Sequence, residues 1–222
     1  MSGFIELLER GGIIMIPIFA FSVIALAVFL ERCWSLRQAR VVPGDFINLV
    51  RRKIREGRSN DALALCEGNH SSIAAVVASG IRRQSAGRDG IKEAFEEVGR
   101  VEVSYLGRFV EVMGTIAAVA PLIGLLGTVV GMIDVFRSVV ADAGVSPGPV
   151  NPASLANGIW TALLTTAAGL SVAIPVYIGY RFLLGRVDRL ALNMEEVCLE
   201  LLDLMSPPEN EETATESQEG DA

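Results

Sequence analysis

The chain has 222 residues, is 51% hydrophobic and has a mean hydropathy of +0.44, which is too apolar for an ordinary soluble domain. Its net charge of −7 speaks against nucleic acid as a partner. Three scattered cysteines, Cys33, Cys66 and Cys198, and one histidine supply neither a disulfide framework nor a zinc site.

Residues 1–10 form a short amphipathic lead carrying Glu6, Glu9 and Arg10. An apolar run, residues 11–30, follows and is long enough to cross a bilayer, which takes about 20 residues at 1.5 Å each. It is too long for a signal-peptide core and ends at Glu31-Arg32 without a small-residue cleavage pattern, so it is expected to remain as an anchor. Pro17 is tolerable there because neighbouring helices can satisfy a freed carbonyl, and Trp34 stands where an interfacial aromatic is expected.

Residues 31–111 are polar and read as helical. Phe46 to Ile54 is a basic amphipathic piece, Ser59 to Cys66 a second, and Ser72 to Ile81 a third that is rich in small residues. From Gly90 to Glu111, the positions Ile91, Ala94, Val98, Val101, Tyr105 and Phe109 keep helical period, which predicts one helix running unbroken into the next apolar segment. That segment, residues 112–136, is the second predicted span. A short loop, residues 137–154, rich in Pro, Gly, Ser and Asn between Ser138 and Asn157, leads to the third span, residues 155–180. Residues 181–205 continue as a helix whose Leu183, Val187, Leu190, Met194, Val197, Leu201 and Leu204 form a seam that needs another helix. Ser206-Pro207-Pro208 ends it, and the tail, residues 206–222, with six acids and no base, is expected to be disordered.

Fourteen of the nineteen Lys and Arg lie between Arg32 and Arg108, and Arg181, Arg186 and Arg189 follow the third span. The positive-inside rule then places the large loop and the C-terminus in the cytoplasm, with the N-terminus and the short loop outside. A basic loop beside a membrane is thereby explained without invoking nucleic acid. The cysteines face a reducing compartment and are expected to be free thiols.

The sequence contains no GxxxxGK[ST], HExxH or GxSxG element, and His70 sits in a polar turn, so neither a catalytic activity nor a cofactor is expected. Any energy used at the membrane must come from elsewhere, and an ion gradient is the obvious source.

The second and third spans share an unusual character. In span three, Gly158, Thr161, Ala162, Thr165, Thr166, Gly169 and Ala173 fall within one arc of about 140°. Trp160, Leu163, Leu164, Ile174 and Ile178 fall opposite. In span two, helical phasing groups Ala117, Pro121, Gly124, Thr128, Gly131 and Met132, and Gly127 with Gly131 forms a close-approach GxxxG pair. Small faces of this kind, together with Pro121 and Pro175, pack helices. Hydroxyls at mid-depth can instead line a wet path, or can return to their own backbone one turn away. Repeated around a ring, such helices would enclose a pore or cradle another helix.

Ala120 to Phe136, APLIGLLGTVVGMIDVF, and Gly158 to Pro175, GIWTALLTTAAGLSVAIP, resemble the signature helices of the MotA/TolQ/ExbB proton channel family. The run Gly12 to Arg37 is similar to that family's first helix, and the resemblance covers about Gly12 to Leu204. Three spans and this length fit the ExbB and TolQ branches better than MotA, which has four. The resemblance implies an all-α membrane protein with three transmembrane helices and long cytoplasmic helical extensions. It further implies a homopentamer in the bacterial inner membrane, surrounding the single-span helices of an ExbD- or TolR-type partner. Proton flow would drive motion that a TonB- or TolA-type protein carries to the outer membrane.

On this chain the family's pore-lining threonines correspond to Thr128 and Thr166, with Thr161 and Thr165 as further lining candidates. Gly124, Gly127, Gly131, Pro121, Gly158, Ala162, Gly169, Ala173 and Pro175 correspond to packing positions. Many relatives carry Glu where this chain has Thr161. Neither span holds a mid-depth ionisable group, so the titrating carboxylate is expected from the partner chain, and membrane lipid surrounds the assembly.

Overall fold

The computed structural model describes residues 14–145 and 152–206. The predicted N-terminal lead, the middle of the short loop at 146–151 and the acidic tail from 207 onward lie outside the described residues. Seven α-helices follow in order among the described residues: α1 Met15–Ser35, α2 Gln38–Val41, α3 Gly44–Arg55, α4 Ser59–Glu67, α5 Ser72–Arg82, α6 Gly87–Val145 and α7 Pro152–Met205. A single 3₁₀ turn, Gln84–Ala86, precedes α6, and no strand occurs among the described residues. Three helices, α1, α6 and α7, contain stretches long and apolar enough to cross a membrane.

The short connections between helices have local causes. In α3, Asp45 in the first turn and Arg52, Lys53 and Arg55 in the last complement the helix dipole, while Ile47, Val50 and Ile54 turn one stripe inward. After α3, Gly57 adopts φ 72°; its N–H donates to the Ile54 carbonyl at 3.0 Å and the Arg58 N–H donates to the Lys53 carbonyl at 3.0 Å. This paired pattern closes the helix end, and it requires the left-handed conformation that glycine adopts without strain. Gly87, at φ 76° and ψ −171°, closes the 3₁₀ turn with its N–H on the Gln84 carbonyl and opens α6.

Helix α6 is continuous over 59 residues, so the periodic segment from Gly90 and the second apolar span belong to one helix. Helix α7 runs for 54 residues across the third span and its extension. The loop expected between Ser138 and Asn157 is shorter than its composition suggested, because α6 continues to Val145 and Pro152 already opens α7. Proline is well placed in a first helical turn, where its missing N–H would have no partner.

The chain divides into two compact units. One comprises Met1–Trp34 and Arg108–Leu184; the other comprises Ser35–Gly107 and Gly185–Ala222. In the second unit, Leu36, Val50, Ile73, Val77, Ile91 and Leu201 are fully buried, each stabilising the fold by roughly 1.5–3 kcal/mol. Of the α7 seam, Val187, Leu190, Met194 and Leu201 are buried there, while Val197 and Leu204 are half-buried and Cys198 and Leu202 beside them take the inner positions. Gly80 on α5 lies against the Phe95 ring so closely that a Cβ would collide with it. Arg186 Nε donates to the Leu36 carbonyl at 3.0 Å just beyond the end of α1, and Arg51 pairs with Glu200. Arg88 donates to Asp203 Oδ1 at 2.6 Å and to the Ser206 carbonyl, fixing the last turn of α7.

Candidate functional site

The candidate site lies in the first unit, where α6 and α7 pass each other along glycine. A Cβ added to Gly124 would stand 2.9 Å from the Thr165 carbonyl oxygen and 3.1 Å from the Thr166 Cα. One added to Gly169 would stand 2.7 Å from the Ala120 carbonyl oxygen and 3.1 Å from the Gly124 Cα. At Gly131 it would meet the Ala162 methyl at 3.0 Å, at Gly127 it would strike the Thr165 side chain, and at Gly158 it would strike Val135. The neighbours of Gly124 and Gly169 are backbone, which cannot move aside. The two helices approach as closely as they do because these positions lack a side chain.

This contact fixes the register. The buried stripe on α6 is Met113, Ala117, Ala120, Gly124, Gly127 and Val135, with Gly131 half-buried. The face read from sequence placed Pro121, Thr128 and Met132 beside Gly124 and Gly131; all three are half-buried and flank the stripe instead. Spacings of three and four from Gly124 through Gly127 to Gly131 were the signal for the true face. Thr128 lies 40° round the helix from Gly124 and 20° from Val135, at the edge of the stripe opposite Gly127.

The threonines divide by environment. Thr165 is 2% exposed; its Oγ1 donates to the Ala162 carbonyl at 2.7 Å and approaches the Gly124 carbonyl at 3.3 Å. Within this chain it lies between the two helices, in the space that Gly127 leaves. Thr166 Oγ1 donates to the Gly124 carbonyl at 3.0 Å and remains half-buried. Thr128 Oγ1 donates to the Leu125 carbonyl at 2.7 Å within its own helix, and Thr161 is half-buried. Each threonine carries one O–H donor but keeps lone pairs, so Thr128 and Thr166 can still accept a hydrogen bond from an acid or water beside them.

Ala162, Gly169 and Ala173 are buried. Pro175 is not: it is exposed and borders a groove facing α1. On the opposite face, Trp160, Leu163, Ile174 and Ile178 are exposed, while Leu164 is half-buried.

Charge is kept to the ends. On α6 the sequence carries no ionisable residue between Glu111 and Asp134, a length of about 34 Å at helical rise. Asp134 lies 3.8 Å from Arg137 in an exposed pair. On α7 none occurs from Leu155 to Tyr180, apart from the phenols of Tyr177 and Tyr180. Tyr180 packs on Gly114, where a Cβ would meet its ring at 3.0 Å. No group of metal-ligating side chains occurs among the described residues. His70 is exposed, and the thiols of Cys66 and Cys198 are pushed up by burial, to about 11 and about 12, with Glu67 and Glu195 adding to the effect.

A model of the MotA/TolQ/ExbB proton channel family matches residues 69–196. An ExbB homolog of Methanothermobacter thermautotrophicus is 31% identical over 185 residues, covering 83% of this chain and 64% of that protein. The biopolymer transport protein ExbB of Aquifex aeolicus is 35% identical over 122 residues, 55% of this chain and 78% of its own length. The ExbB of Salmonella typhimurium is 33% identical over 126 residues, again 55% of this chain but half of its own length. The chain thus spans less than two thirds of two of these three relatives.

Proposed function

The chain belongs to the MotA/TolQ/ExbB proton channel family, and from that premise we propose that it is the sheath subunit of an ExbB-like energy-transducing complex in a bacterial inner membrane. In this reading several copies, five by family resemblance, surround the single transmembrane helices of an ExbD-type partner. The large basic loop and the C-terminus face the cytoplasm, and the N-terminus faces outward. The proton motive force drives the complex, whose motion a TonB-type protein carries to the outer membrane.

One observation carries the proposal. The two family helices are held together by glycine and offer hydroxyls at mid-depth, yet neither contains an acid or base there. A threonine hydroxyl can accept and relay a hydrogen bond, but it titrates far outside the working range and cannot store a proton. The carboxylate that does so must come from another chain. A bare acid at the bilayer centre costs on the order of 2.5–3.5 kcal/mol, and a lining of Thr128, Thr161 and Thr166 would reduce that cost. A TolQ-like role with a TolR-type partner and TolA uses the same arrangement and differs in the partner bound.

A second reading, a membrane scaffold without ion flux, draws on the internal hydrogen bonds of Thr165 and Thr166, which would serve packing alone. The native mass of the detergent-extracted particle, with and without a co-expressed ExbD- or TolR-type partner, tests the proposal. The expected result is a ring that gains the partner inside it. A monomer that ignores both partners would overturn the proposal.

A further inference from the structure

A second feature of the first unit is unrelated to the α6–α7 contact. A groove of about 600 Å³ opens between α1 and α7, with Ser22, Ala25 and Phe29 on one wall and Ser171, Pro175 and Phe182 on the other, and Met113 of α6 at its floor. From Ser171 to Phe182 it follows α7 for about 16 Å, close to the depth of one leaflet of a 30 Å hydrocarbon core. Its lining is mostly apolar, and several wall residues, among them Ser171, Pro175 and Phe182, are exposed, so it opens sideways.

One end of this groove carries positive charge. Arg32 lies three residues beyond Phe29 on the same α1 stripe as Ala25, and Phe109 lies four residues before Met113 on α6. The Arg32 guanidinium sits over the Phe109 ring, 4.5 Å from its centroid, and the Arg108 guanidinium sits over the same ring at 5.5 Å. Arg32 is 8% exposed, and its Nε is buried without a hydrogen bond. The neighbouring Glu31 Oε2 lies 2.8 Å from this nitrogen, but without the alignment of a hydrogen bond, and Glu31 itself is exposed. Two guanidiniums on one aromatic ring repel each other, and among the described residues only the exposed Glu31 pairs with either of them, while Glu111, one turn beyond Arg108, does not.

We infer that this groove binds one acyl chain of an anionic phospholipid, whose phosphate is held by Arg32 and Arg108. The length of the groove matches a lipid tail, its walls exclude a soluble anion from the apolar part, and its end supplies the charge that an anionic headgroup complements. A zwitterionic lipid would satisfy the groove but would leave part of the positive charge unbalanced.

The test uses the full chain in its native assembly, stripped of loosely held lipid in detergent and offered phosphatidylglycerol, phosphatidylcholine or inorganic phosphate, with bound lipid read by native mass spectrometry. The wild type is expected to retain one phosphatidylglycerol per chain, preferred over phosphatidylcholine by about thirty-fold on the usual strength of two basic residues near an anionic surface. Arg32→Gln with Arg108→Gln should reduce that preference to near unity. Ser171→Phe, which fills the groove from an exposed position and so leaves the fold intact, should reduce retention of both lipids. Equal retention by all three proteins would overturn the proposal. So would displacement by inorganic phosphate that Ser171→Phe does not affect, which would mark a phosphate site. Efficient crosslinking between copies through Ser171→Cys would also overturn it, since a second copy and not lipid would then fill the groove.

Discussion

The Thr166 hydroxyl on α7 donates to the Gly124 carbonyl on α6 at 3.0 Å, and this bond is possible only because Gly124 has no side chain to hold the helices apart. Thr165 Oγ1 comes within 3.3 Å of the same carbonyl while donating to Ala162 on its own helix, so both adjacent hydroxyls gather at one backbone oxygen of the facing helix. Packing and hydroxyl placement are therefore a single feature of this pair. Disturbing the glycine moves the threonines.

Glycine substitutions should separate by location. Gly124→Ala places a methyl 2.9 Å from the Thr165 carbonyl oxygen and should destabilise by about 1–3 kcal/mol, as overpacking does. Gly99→Ala, on the same helix with nothing within 4 Å of its Cβ position, should instead stabilise by roughly 0.5–1 kcal/mol. Thermal unfolding in detergent reads both; equal shifts would contradict the close-approach account.

The threonines should separate by task. Thr165→Val removes a hydroxyl bonded inside the helix pair and should cost about 0.6 kcal/mol of stability, with flux retained. Thr128→Val with Thr166→Val should leave assembly intact and abolish energised transport. Normal transport by the double variant would remove the lining role.

The buried thiols should be inert in the folded protein. With the Cys66 and Cys198 values raised to about 11 and 12 from an ordinary 9.0, both remain protonated at pH 8, so a thiol reagent should label neither until the protein unfolds. A group whose value is raised by folding contributes stability that is fully present below its unfolded value and is lost as pH rises through the folded one. The unfolding midpoint should therefore begin to fall above pH 9. Cys66→Ser with Cys198→Ser should weaken that fall.

Arg88 holds the end of α7 through Asp203 and Ser206. Both partners of the ion pair are partly exposed, so Arg88→Ala should cost no more than about 1 kcal/mol globally. Hydrogen exchange should nevertheless quicken over residues 201–205, while the buried Val187 to Leu190 turn remains protected. Uniform acceleration along α7 would show that the clamp is not local.

Much of this architecture was legible in the sequence. Apolar period alone joined Gly90–Glu111 to the second span, and both lie in the one helix α6. Of the four short helices before it, α3, α4 and α5 were marked by their own amphipathic or small-residue patterns, whereas α2, a single turn of four residues, was too short to show a period. The register of the α6–α7 pair was harder to read, because Gly124 and Gly131 lie on the edge of two possible faces. One contains Thr128 and the other Gly127. Choosing between them needs the position of the opposing helix, and it is Thr165 filling the space at Gly127 that decides it. The short connection was overestimated for a different reason: Pro152 reads as a breaker from composition, yet it stands at a helix start, where proline is favoured.

Proton flux into liposomes containing this chain, alone and with a single-span partner of the ExbD type, tests the central claim most directly. The account predicts no flux from the chain alone, flux with the partner, and its loss when the partner's membrane carboxylate is changed to an amide. Flux from the chain alone, or flux that survives removal of that carboxylate, would contradict it.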